Sequence, residues 1–228
     1  MVVMNRKNLR SLAAGVALLM AVGALAGCGG EKKADDSKKM VTVGIAQLVE
    51  HGALDAANKG FVAGMASKGF KENENVKYDR QNAQADQSNL QNIAQRFVSN
   101  KVDLICAIAT PTAQTMANAT KDIPIVATAV TDYEVAKLAA SNSEPKGNVT
   151  GTSDMNPIDQ QLELLLKIAP QTKNIGTVYS SSEVNSQLQV DVLKKLAGDK
   201  GINVIEATVS TVNDIQQAAH SLVGKVDA

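Results

Sequence analysis

From Met40 onward, short apolar runs alternate with segments of helical periodicity, and this alternation limits the possible folds more than any other feature. Strands are predicted at 41–46, 76–79, 102–108, 123–130, 148–152, 175–179 and 202–208. Helices are predicted at 54–68, from a cap at Asp86 or Ser88 through Val98, and at 112–121, 158–168, 183–200 and 212–223. Ala57, Phe61 and Met65 share one face of the first helix, and Leu90, Ile93, Ala94, Phe97 and Val98 recur at helical spacing in the second. Strands that alternate with helices of this length build parallel sheets covered on both faces, an α/β fold. Right-handed crossovers then bring every strand-to-helix loop to one edge of the sheet, where ligands bind.

One break interrupts the alternation. The loop Ser141-Asn142-Ser143-Glu144-Pro145-Lys146-Gly147, a short strand and then Asp154-Met155-Asn156-Pro157 read either as the passage between two lobes or as an ordinary loop of one sheet. Residues 41–152 would form the first lobe and 153–228 a partial second one. That second part holds two βα units and ends at Gly224-Lys225-Val226-Asp227-Ala228, which reads as the approach to another strand.

Ahead of the folded part, Arg6, Lys7 and Arg10 precede an almost wholly apolar run from Leu12 to Leu25, the layout of a secretory signal peptide. That run is shorter than the roughly twenty residues a spanning helix needs. Leu25-Ala26-Gly27-Cys28 resembles the lipobox of bacterial lipoproteins, which implies cleavage after residue 27 and lipidation of Cys28. Residues 28–40, including Gly29-Gly30-Glu31-Lys32-Lys33, carry no large apolar side chain before Met40 and are expected to tether the domain to a membrane by its lipid. Three of the 23 Lys and Arg fall in the leader, so 20 remain against 23 Asp and Glu, a net of −3. Nucleic acid is therefore an unfavoured partner, since such binding needs clustered cations. Beyond the anchor only Cys106 remains; it lies in an apolar run, reads as a buried hydrophobe and has no disulfide partner.

Several stretches in one order resemble a known family. They are Val43-Gly44-Ile45-Ala46-Gln47-Leu48-Val49-Glu50-His51, Ala109-Thr110-Pro111-Thr112-Ala113-Gln114, Ala129-Val130-Thr131-Asp132, Thr150-Gly151-Thr152-Ser153-Asp154, Gln160-Gln161-Leu162-Glu163-Leu164 and the run from Val178 to Ser186. Together they resemble the substrate-binding lipoproteins of ABC transporters related to tryptophan uptake. The resemblance implies a type I periplasmic-binding-protein fold of two lobes, a small-molecule ligand, an ABC permease as partner and an extracytoplasmic, membrane-anchored location; against such a fold the second lobe, with only two βα units, is expected to be truncated. Family members often carry proline where Gly52 and Tyr133 stand, so both loops are expected to differ locally.

The expected ligand-facing residues all follow strands. Gln47, Glu50 and His51 follow the first. Thr110, Thr112 and Ala113 open a helix whose free N–H groups attract anions, although a threonine there also serves as a simple cap. Asp132, after Thr131, is placed to meet a ligand ammonium or to close a turn. Ser181, Ser182 and Asn185 follow a second-lobe strand, with Ser182 and Glu183 also suited to capping. No metal or cofactor is expected, because Glu50 beside His51 makes no recognised ligand spacing; His220 is expected on a solvated face. Two function classes follow. One is a clamp that captures an amino acid, by resemblance an aromatic or other apolar one, and hands it to a permease. The other is an extracellular α/β enzyme, disfavoured by the lack of a G-x-S-x-G elbow or zinc spacing.

Overall fold

The computed structural model describes residues 40–228; the leader, Cys28 and nearly all of the tether lie outside the described residues. Five parallel strands form the first sheet: β1 (Val41–Gln47), β2 (Val76–Asn82), β3 (Leu104–Ile108), β4 (Ile125–Val130) and β5 (Val149–Ser153). Their order is β2-β1-β3-β4-β5, so the chain reverses direction across the sheet between β1 and β3. Such a switch point opens a crevice outside the carboxyl ends of the strands.

Helices cover both faces because side chains alternate along each strand. Val43 and Ile45 of β1 join Cys106 and Ile108 of β3 beneath α1 (Gly52–Ser67), which contributes Leu54, Ala57, Phe61, Val62 and Met65. On the opposite face, Ala46, Ile105, Ala107, Ile125 and Ala127 meet α2 (Gln87–Ser99) and α3 (Thr110–Ala119) through Leu90, Ile93, Phe97, Ala113 and Met116. Burying an aromatic side chain such as Phe97 contributes about 1.5–3 kcal/mol. Its ring needs the space that Gly44 leaves, since a Cβ there would lie 2.7 Å from the ring. Asp86, not Ser88, caps α2, accepting from the Asn89 N–H at 2.8 Å.

After β5 the chain enters α4 (Ile158–Ile168) and then a second, two-stranded parallel sheet of β6 (Asn174–Ser180) and β7 (Asn203–Val209). With α5 (Val184–Gly198), a 3₁₀ turn (Val212–Asp214) and α6 (Ile215–Leu222), this completes a two-lobed α/β architecture of parallel sheets flanked by helices. The core of this part is smaller, centred on Leu162, Ile175, Ala197 and Ile202. The last residues run beside β6: Gly176 N–H donates to Ala228 O at 2.8 Å, and Asp227 N–H to Asn174 O at 2.9 Å.

Four local expectations are corrected. β2 runs on to Asn82, because Arg80, Gln81 and Asn82 stay in register with Ile45, Ala46 and Gln47 after its apolar alternation has ended. α3 begins two residues early, at Thr110, and its N-cap is Ala109, with no side-chain cap bond. Glu183 occupies the N-cap of α5, but neither it nor Ser182 caps through its side chain. The last predicted helix opens as the 3₁₀ turn, whose Thr211–Asp214 capping box delays α6 to Ile215.

Candidate functional site

The switch point is built from the ends of β1 and β3, where Gln47 stands opposite Ile108, two residues before Thr110. Entry into α3 is strained. Ala109 has φ 87° and ψ 152°, a conformation that is otherwise glycine's. The strain turns the chain so that α3 begins at once, and the first intrahelical bond runs from Ala113 N–H to Ala109 O at 3.0 Å. The N–H groups of Thr110 and Thr112 precede that bond, and Pro111 between them has none to satisfy. Thr110 is 2% exposed and Thr112 is fully buried, and neither hydroxyl has a hydrogen-bond partner among the described residues. Leaving a buried hydroxyl unpaired costs about 1–3 kcal/mol. Two such groups stand together beside a strained helix start.

Gln47 has a different task. It is 5% exposed, and its amide NH2 donates to Val49 O at 2.9 Å and to Asp55 Oδ1 at 2.6 Å. Its carbonyl accepts from Asn58 Nδ2 at 3.1 Å. Both donors are thus committed to holding the β1–α1 loop. The His51 side chain is the N-cap of α1, accepting from Ala53 N–H at 3.3 Å. Glu50 is exposed and lines, with Gln47, Asp55, Asn58 and Arg80, a small cup of about 340 Å³.

Beyond β4, Thr131 is buried and its carbonyl accepts from Ser153 Oγ at 2.7 Å. Asp132 closes a turn, taking Val135 N–H at 2.8 Å and Asn142 Nδ2 at 2.9 Å on its two oxygens. A carboxylate has about four lone-pair sites, so room remains for a further donor. Tyr133, buried, sends its hydroxyl to Ala127 O at 2.9 Å, with Thr152 O at 3.2 Å. Burial and the charge of Asp154 push that phenol up to about 12. Tyr133 thereby ties the bulge in β4, where Ala129 has φ 55°, to β5.

Across the crevice stand the ends of β6 and β7. Ser181 and Ser182 are exposed, with Ser182 Oγ 2.9 Å from Ser180 Oγ. Asn185, in the first turn of α5, has a buried carbonyl oxygen with no partner among the described residues. Two cavities join the sheets. One, of about 610 Å³, brings Ser182 beside Pro111, Gln114 and Lys137. The other, of about 630 Å³, sets Gln84 and Ala85 against Ser180, Ser182, Val209, Val212 and Ile215. Of the expected residues, Ser182 lines both of these cavities, Gln47 and Glu50 line the separate cup, and His51 caps α1. Sequence reading missed Gln84 and Ala85, and Val212 with Ile215. The signal for the latter pair was two large apolar residues directly after a strand in an otherwise polar turn. Cys106 takes no part; burial pushes its thiol up to about 12.

The family model for ABC transporter substrate binding proteins matches residues 42–228. The chain is 48% identical over 231 residues to the Tyrosine-binding protein of Clostridioides difficile strain R20291, covering 98% of this chain and 66% of that one. An ABC domain in complex with L-Trp from Streptococcus pneumonia superposes with a TM-score of 0.80, at 41% identity over 83% of this chain and 64% of that chain. A ligand-free, open substrate-binding protein with adhesive properties from Clostridium difficile, 50% identical, gives 0.61 over 82% of this chain and 64% of that chain. The chain spans just under two thirds of the length of each of these relatives.

Proposed function

Because this chain belongs to the ABC transporter substrate binding protein family, we propose that it is the extracytoplasmic, lipid-anchored component of an importer. It captures an amino acid, aromatic or otherwise apolar, between its two sheets and delivers it to a permease. The observation that carries this reading is the pair of buried, unpartnered hydroxyls of Thr110 and Thr112 at the strained start of α3. A carboxylate placed there takes up both hydroxyls and the N–H groups of the first turn, and gains about 0.3–1 kcal/mol from the helix dipole. The ammonium goes to Asp132, which has acceptor capacity left beyond its two hydrogen bonds, and Ser181, Ser182 and Asn185 complete the contacts from the second sheet. Ala113, fully buried and small, lets the ligand approach the helix end. Gln47 serves as the clamp of its loop, and Glu50 and His51 form the outer rim.

Binding favours the arrangement in which both edges touch the ligand, and the permease reads that closed shape. The relatives named for tyrosine and L-Trp support an aromatic amino acid as the ligand. Residues 1–27 are removed, Cys28 is lipidated and residues 28–40 span the gap to the domain. Residues 41–152 act as one lobe and 153–228 as part of the other. The test is calorimetric titration of the full chain with L-tyrosine and L-tryptophan, repeated on Thr112→Val. Binding by the wild type and at least tenfold weaker binding by the variant, a loss of about 1.4 kcal/mol, is expected. Equal affinity in both would remove α3 from the site.

A further inference from the structure

A carboxylate subsite at α3 leaves the rest of the ligand unrecognised, and the chain has few rings for stacking. It contains no Trp, three Phe and three Tyr; Phe97, Tyr78 and Tyr133 are buried, Phe61 packs from α1 against the first sheet, Phe70 lies exposed beyond that helix, and Tyr179 lies at the end of β6. The cavity of about 630 Å³ offers another means. On the side of the second sheet the apolar part of its lining is Val178, Tyr179, Val209, Val212 and Ile215, interleaved with serine and threonine hydroxyls and with Glu183 as its one charged residue. Val212 is 77% exposed and Ile215 46% exposed. Large apolar side chains left open together at a cleft are informative in a way that scattered ones are not. They are also held rigidly: Asp214 accepts the Thr211 N–H at 2.9 Å and hydroxyl at 3.1 Å, so the turn presents Val212 outward.

The first sheet closes the other side. Gln84 and Ala85 are consecutive non-glycine residues with φ 55° and 58°, a costly conformation held by Asn82 Oδ1 on Gln84 N–H and by Leu48 O on Ala85 N–H. Their placement makes the aliphatic surface one wall of a pocket continuous with the cleft. The volume falls in the range of small-molecule sites, and the absence of cations from the lining suits a neutral group.

We propose that Val178 and the segment Val209–Ile215 form the subsite for the ligand's apolar side chain. The second sheet then sets specificity by apolar contact, with the Tyr179 ring beside the aliphatic side chains, while the first holds the charged end. This rests on reading the cleft as the amino-acid site. The test is calorimetric titration of the full chain, Val212→Ser, Ile215→Ser and, as a control at an equally exposed apolar residue outside the cavity, Ile168→Ser, with L-tryptophan, L-tyrosine and L-alanine. Both cavity variants should weaken the aromatic ligands about tenfold, with a less negative heat-capacity change on binding. L-alanine affinity and the control should be little changed. Aromatic affinity equal to wild type overturns the proposal, as does an equal loss for L-alanine. So does intact affinity with a shift in oligomeric state, which would assign the patch to a second copy. Wild type that binds no amino acid would instead overturn the reading of the cleft, and this subsite with it.

Discussion

At the scale of single residues, the site is visible as local cost. Ala109 adopts a glycine-like conformation, so Ala109→Gly should stabilise the unliganded protein by about 1 kcal/mol. A denaturant midpoint that falls instead would show that the methyl group has a packing role outweighing the strain. Thr112→Val removes a buried hydroxyl without changing its shape, and should also raise the unliganded midpoint while weakening the ligand. A residue serving only the fold would not separate those two effects. Cys106 shows the opposite case: its thiol, pushed up to about 12 by burial, should resist thiol reagents at pH 8 until the protein unfolds. Modification of the native protein at the unfolded rate would contradict its place beneath α1. Sequence reading placed Cys106 in the core because an apolar run surrounds it. It left Thr110 undecided between cap and ligand, because capping depends on a backbone angle at Ala109 that no residue type announces.

At the scale of elements, close approaches and end contacts decide stability. Gly151 lets β5 lie against the bulge in β4; a Cβ there would fall 1.9 Å from Ala127 O and 2.2 Å from the Tyr133 hydroxyl. Gly151→Ala should therefore cost at least about 3 kcal/mol, since backbone rather than a flexible side chain would have to move. Gly44→Ala meets a ring instead and should cost about 1–3 kcal/mol; thermal midpoints of the two variants test that order. The head of β6 depends on a charge. Asp227 accepts the N–H groups of Lys173 and Asn174 at 2.8 and 2.9 Å, which hold its carboxyl below the usual aspartate value. The stabilising effect is complete above the unfolded value of about 4 and fades as the pH falls through the lower folded value. Asp227→Asn should therefore flatten the acid side of the stability profile; an unaltered slope would mean the contact contributes nothing in solution.

At the scale of the whole molecule, the two sheets have unequal cores. The first is covered on both faces, whereas the second rests on a few residues around Leu162 and Ile175. Amides of β6 and β7 should therefore exchange faster than those of β1 and β3, and a bridging ligand should slow the second sheet. At about a hundred times its dissociation constant, such a ligand should add roughly 2.7 kcal/mol to stability. Equal exchange in both sheets would mean that they unfold as one unit. The alternation of strands and helices, the faces of α1 and α2, and the α4 span 158–168 were legible in the sequence, because apolar periodicity is a local property. So was the collection of loops at one edge, which right-handed crossovers require. Other features were settled only by tertiary structure. The register that carries β2 on to Asn82 comes from pairing with β1, and the commitment of Gln47 to Asp55 and Asn58 from the packing of α1. The open aliphatic wall at Val212 likewise depends on which residues the opposite sheet leaves uncovered. Local sequence fixes what each segment can bury, but contacts between distant segments decide which polar groups stay unpaired and which apolar ones stay exposed.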